Sequence, residues 1–168
     1  MKDNQILPAC PPGEICGAES RTPPTSNISR GESASTQLQS QSNPLHRILV
    51  VEDDLLILQL NTRMLKRSGY EVDGAEDGAA AWEALNAERY DLLITDNVMP
   101  KVTGVKLLEK LRAARMALPV IMATSALPTD VFIRCPWLQP NATLLKPYTG
   151  SEMLRTVKKV LREAHNTS

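Results

Sequence analysis

The sequence predicts an α/β fold in which a doubly wound parallel sheet of five strands is covered by five helices. Two observations carry this. Short unbroken apolar runs alternate five times with stretches of helical spacing between Leu45 and His165. Such runs suit strands buried on both faces, and strict alternation with helices demands parallel strands joined by crossovers. The composition agrees: 42% of residues are hydrophobic and only 4% aromatic, so the core is globular and aliphatic.

Taken in order, Ile48-Leu49-Val50-Val51 is the first strand. Residues 55–67, with Leu55, Leu58, Met64 and Leu65, have helical spacing, and Gly69 supplies a stop just past the end. A second strand is expected over 70–73 and a second helix over 78–88, where Ala81, Trp82 and Leu85 share a face. Leu92-Leu93-Ile94 is the third strand, and 104–115 the third helix. Pro119 to Met122 opens the fourth strand, and a weak helix is expected over 129–135. Thr143 to Leu145 is the fifth strand, and 151–164 the last helix, with Ser151 as its expected N-cap.

Residues 1–44 read differently. They hold six of the twelve prolines, seven serines and no Phe, Tyr or Trp. Their apolar residues follow neither period, so they are expected to form a disordered tail ahead of a folded domain over 45–165. Nothing after Lys2 resembles a secretory h-region. Cys10 and Cys16 have no Cys or His partner nearby for a metal site. Three cysteines argue against a disulfide scaffold and for a reducing, cytoplasmic setting. Nineteen basic residues balance nineteen acidic ones. A neutral chain is not built to attract nucleic acid or an anionic membrane, and no apolar run is long enough to cross a bilayer.

In open parallel sheets, sites lie beyond the carboxyl ends of the strands. There the sequence has Glu52, Asp53 and Asp54 after the first strand, and Asp96 after the third. Thr124 and Ser125 follow the fourth, and Lys146 and Pro147 the fifth. Two carboxylates about 4 Å apart at an effective dielectric near 20 repel by roughly 4 kcal/mol. Either one carries a proton or a cation sits among them. Hard oxygen donors without His or Cys suit Mg²⁺. A lone lysine and a hydroxyl suit phosphate oxygens, and a carboxylate can accept a phosphoryl group covalently.

The chain from about 46 to 163 resembles the receiver domain of two-component response regulators. The matching blocks are Ile48 to Asp54, Leu92 to Pro100 with Gly104, Leu118 to Ser125, and Leu144 to Pro147, in the same order and spacing. The resemblance implies a flavodoxin-like strand order, 2-1-3-4-5. It implies that Asp96 accepts a phosphoryl group from a histidine of a sensor kinase or phosphotransfer protein. Glu52, Asp53, Asp96 and the Val98 carbonyl would hold Mg²⁺, Thr124 would hydrogen-bond the phosphoryl oxygens, and Lys146 would ion-pair with them. Pro100 and Gly104 would shape the loop after Asp96, and the Lys146–Pro147 bond is expected to be cis.

One position departs from the family pattern. Thr143 stands where receivers carry Tyr or Phe, three residues before the lysine. Pro128, Pro136 and Pro140 also shorten any helix in the preceding stretch. The output face is therefore expected to be altered, with Phe132 and Trp137 as a substitute contact. Since the sequence ends soon after the last helix, the expected function is a stand-alone signalling relay acting through protein contacts, not an enzyme. The alternative is a receiver-fold scaffold independent of phosphorylation. A dehalogenase-type phosphohydrolase would want a second Asp at Val98, and a flavin site a Ser/Thr/Gly-rich loop where Glu52 to Asp54 stand.

Overall fold

Ile48 to Val51 offer no polar side chain to turn outward, and all four are buried. The same holds for Leu92 to Ile94 and for Val120 to Ala123. These runs form the middle of a sheet with helices on both sides. The structure is a computed structural model that describes residues 46–166; the expected tail, with Cys10 and Cys16, lies outside them. The elements are β1 (Arg47–Val51), α1 (Leu55–Arg67), β2 (Glu71–Ala75), α2 (Gly78–Ala87), β3 (Leu92–Thr95), α3 (Gly104–Ala113), β4 (Val120–Thr124), α4 (Thr129–Arg134), β5 (Ala142–Leu145) and α5 (Gly150–His165). The sheet is parallel throughout, in the order β2-β1-β3-β4-β5.

Alternation along the central strands divides the core in two. Leu49, Val51, Leu93, Val120 and Met122 face a layer with Leu107, Leu108 and Leu111 of α3. Ile48, Val50, Ile94 and Ile121 face the other layer, with Leu58 and Leu65 of α1 and Met153, Val157 and Val160 of α5.

Local chemistry sets the helix ends. The Asp54 side chain accepts from the backbone N–H groups of Leu56 and Ile57, capping α1. Gly69, at φ 90°, takes the left-handed turn beyond its C-terminus. The expected cap of α5 needs correction: it is Thr149, not Ser151. Thr149 has extended backbone, accepts from the Glu152 N–H, and its own N–H is bonded by the Glu152 carboxylate. Thr149-Gly150-Ser151-Glu152 is thus a reciprocal capping box.

Helix α4 is only six residues long. Cys135 precedes proline and is extended (φ −129°, ψ 74°), which ends the helix. Pro136–Leu138 then form a single 3-10 turn. The substitute contact expected of Phe132 and Trp137 divides between two environments. Phe132 turns into the α3-side core, whereas Trp137 is 61% exposed and Leu138 takes the inward position of the turn. The His46 ring is largely covered, near Asp91 and the His165 ring.

Candidate functional site

Three backbone hydrogen bonds carry the parallel register past the strand ends. Glu52 N–H donates to the Ala75 carbonyl, Asp96 N–H to Val51, and Lys146 N–H to Thr124. The first residues beyond β1, β3 and β5 therefore emerge at one edge of the sheet.

There the Lys146 Nζ donates to both oxygens of Glu52, at 2.8 and 2.6 Å, and to Asp96 Oδ2 at 2.6 Å. Glu52 is 3% exposed and Asp96 7%. The second Asp96 oxygen, Oδ1, accepts from the backbone N–H groups of Asn97 and Val98. Both oxygens are thus oriented while keeping further lone pairs. Burial pushes the Glu52 carboxyl above its ordinary value, and the Lys146 ammonium only partly offsets it. Burial would lower Lys146, but its hydrogen bonds to Asp96 and Glu52 outweigh that and hold it above a free lysine. The two partners thus move the same way, since desolvation dominates the acid and pairing dominates the base.

Asp53 is exposed at the rim. One oxygen each of Glu52, Asp53 and Asp96 lie within 4.8 Å of one another. Asp54 stands apart as the helix cap. Thr124 is fully buried, and its hydroxyl donates to the Ala126 carbonyl and accepts from the Ala126 N–H. It is engaged by the loop, next to Lys146 by the β4–β5 register (Thr124 opposite Leu145). Val98 is exposed, in the loop that leaves Asp96. Gly104 N–H donates to the Asn97 carbonyl, and a Cβ on Gly104 would run into the Asp96 carbonyl oxygen. Only glycine lets α3 start so close to this backbone. The Lys146–Pro147 bond is cis.

Two pairs around the site escaped the sequence reading. Buried Asn61 of α1 donates to the Tyr148 hydroxyl at 3.0 Å, tying α1 to the loop after Lys146. Asp77, the cap of α2, pairs with Lys101 of the loop after Asp96. Their partners lie 87 and 24 residues apart, and no local pattern marks either.

The donor set fits a hard divalent cation. It offers three carboxylate oxygens with neither sulfur nor imidazole, and one ammonium leaves two of the three negative charges uncompensated. Among the described residues no other group of three or more acidic, His or Cys side chains gathers in this way.

The sequence matches the family profile described as response regulator receiver domain over residues 48–158. The chain belongs to this family. It is 32% identical over 120 residues to the alkaline phosphatase synthesis transcriptional regulatory protein PhoP of Bacillus subtilis, covering 70% of this chain and 49% of that protein. The chain spans about half the length of the first curated relatives it matches. Among solved structures, a CheY-like receiver domain protein of Methanospirillum hungatei aligns with TM-score 0.69 at 28% identity, covering 74% of this chain and 99% of that one. The Thermotoga maritima response regulator TrrA, in complex with Mg(2+)-BeF, aligns with TM-score 0.61 at 29% identity, covering 68% and 98%.

Proposed function

We propose that this receiver domain takes a phosphoryl group onto Asp96 from a phosphohistidine of a sensor kinase or phosphotransfer protein, and relays the signal through protein contacts. The observation that carries the reading is the trio Glu52, Lys146 and Asp96, in which one ammonium bridges two buried carboxylates. An Asp96 oxygen forms the new P–O bond as the P–N bond of the donor breaks, and the electron pair leaves with the imidazole. Lys146 moves from the carboxylates to the incoming phosphoryl oxygens, holding opposite charge in place without proton transfer. Thr124 gives up its bonds to Ala126 and donates to a phosphoryl oxygen. Glu52, Asp53, Asp96 and the Val98 carbonyl are the residues to hold Mg²⁺, which would neutralise charge on the phosphoryl group. The bound phosphoryl group adds about −1.5 to −2 charge and biases the loop at Thr124.

On this reading the domain is a signalling acceptor rather than a turnover enzyme, acts in the cytoplasm and contacts proteins rather than nucleic acid. No helix among the described residues is long and apolar enough to cross a membrane. Incubation with acetyl phosphate and Mg²⁺, read as a Phos-tag gel shift, tests the chemistry. A shift abolished by EDTA is expected. No shift, under conditions that label a known receiver, would remove the reading.

A phosphorylation-independent scaffold is favoured by one feature. Thr143 and Leu145 point away from buried Leu144 and are exposed on an edge strand, without an aromatic side chain at position 143. If this second reading holds, Asp96→Asn leaves partner binding within about twofold; a larger loss in a pull-down eliminates it.

A further inference from the structure

The loop from Asp96 to α3 is fastened at two points. Its base is closed where Gly104 N–H meets the Asn97 carbonyl. Its outer half lies against the start of α2. The Lys101 Nζ reaches the Asp77 carboxylate at 2.5 Å, and Gly78 packs so tightly on Val102 that a Cβ would meet the Val102 carbonyl oxygen at 2.6 Å. Val98 lies between these two attachments. The Asp77 Oδ1 meanwhile accepts from Ala79 and Ala80 N–H groups, so this carboxylate is held rigidly by the helix it caps.

Lys101 occupies the left-handed region, at φ 63°. Glycine would adopt this backbone freely, whereas an L side chain adopts it at a cost. What lysine adds there is its ammonium, and the ammonium is on Asp77. Lys101 is 69% exposed, so ordinary core packing does not explain it.

We propose that the Asp77–Lys101 pair is a positioning clamp: by pinning the loop to α2 it presets the Val98 carbonyl and the amides that orient Asp96, and so sets the affinity of the site for Mg²⁺. This rests on the reading of Glu52, Asp53, Asp96 and Val98 as the Mg²⁺ ligands. Neither partner touches the reacting atoms; both act through the loop.

The test uses the full chain with Asp77→Asn, Lys101→Met, the double variant, and Lys101→Arg. Asparagine keeps the oxygen that caps α2 while losing the charge. Mg²⁺ alone is titrated by calorimetry, and amide hydrogen exchange is followed at Val102 and Gly104. Each single variant is expected to weaken Mg²⁺ binding about fivefold, as an exposed ion pair allows. The double variant should be no weaker than either single one, and Lys101→Arg should restore binding to within about twofold. Exchange should quicken at Val102 and Gly104 but not at Val50 in β1. Unchanged Mg²⁺ affinity and unchanged exchange overturn the clamp. If the wild-type chain itself binds no Mg²⁺, the ligand reading fails instead, and the loop exchange alone decides whether the pair fastens the loop.

Discussion

Lys146 Nζ and Asp96 Oδ2 lie 2.6 Å apart across 50 residues of sequence, and the same ammonium grips Glu52. One cation thus holds two carboxylates that are nearly out of contact with water. Without it, two buried negative charges would face each other.

Lys146→Met should therefore destabilise the folded chain by about 3 kcal/mol at neutral pH, as removal of one partner from a buried ion pair does. The sign of the pH dependence follows. Burial already holds the Glu52 carboxyl above its ordinary value, and loss of the ammonium removes the main interaction that lowers it, so the folded variant binds a proton more readily than the unfolded chain and gains as pH falls. The deficit should shrink between about pH 7 and pH 5. Urea denaturation of wild type and variant at the two pH values checks this; a gap that widens on acidification contradicts it.

Gly104→Ala should cost about 2 kcal/mol, because the added Cβ meets the backbone carbonyl of Asp96 rather than a side chain that can swing away. The displaced loop should also slow labelling by acetyl phosphate. Thermal melts read the first effect and gel-shift kinetics the second.

The 3-10 turn after α4 offers an internal contrast. Leu138→Ala should lose about 3 kcal/mol, since Leu138 is fully buried among the α3-side residues. Trp137→Ala should lose less than about 1 kcal/mol, its ring being mostly in solvent. Equal losses would mean that the exposed indole is packed in solution.

At acid pH the Asp77 carboxyl supplies a fourth test. Its hydrogen bond from Lys101, and then those from the Ala80 and Ala79 N–H groups, hold it below the usual carboxylate range. A lowered folded-state value contributes stability that is complete above the unfolded value and is lost as pH falls through the folded one. The melting-temperature gap between wild type and Asp77→Asn should therefore close between about pH 5 and pH 2. A gap independent of pH would show that the charge of Asp77 contributes nothing.

Much of this molecule can be read from its sequence for a simple physical reason. Short apolar runs such as Ile48 to Val51 suit strands buried on both faces, and parallel strands deliver their next residues to one edge, which is how Glu52, Asp96 and Lys146 come together. The α5 cap was legible as Thr149-x-x-Glu152, but Gly150, a poor helix former, made the helix seem to begin later. The inward turn of Phe132 and outward turn of Trp137 depend on how the backbone bends at Cys135, where apolar spacing carries no information. The Asp77–Lys101 and Asn61–Tyr148 pairs depend on where two loops lie in space, and no periodicity encodes that.

The most direct measurement is to label the chain with acetyl phosphate and Mg²⁺, trap the acyl phosphate by borohydride reduction, and map the modified residue by tandem mass spectrometry. The expected result is modification at Asp96 in wild type and none in Asp96→Asn. Label at another carboxylate in the wild-type chain, or undiminished label in Asp96→Asn, would contradict the assignment of Asp96 as the phosphoryl acceptor.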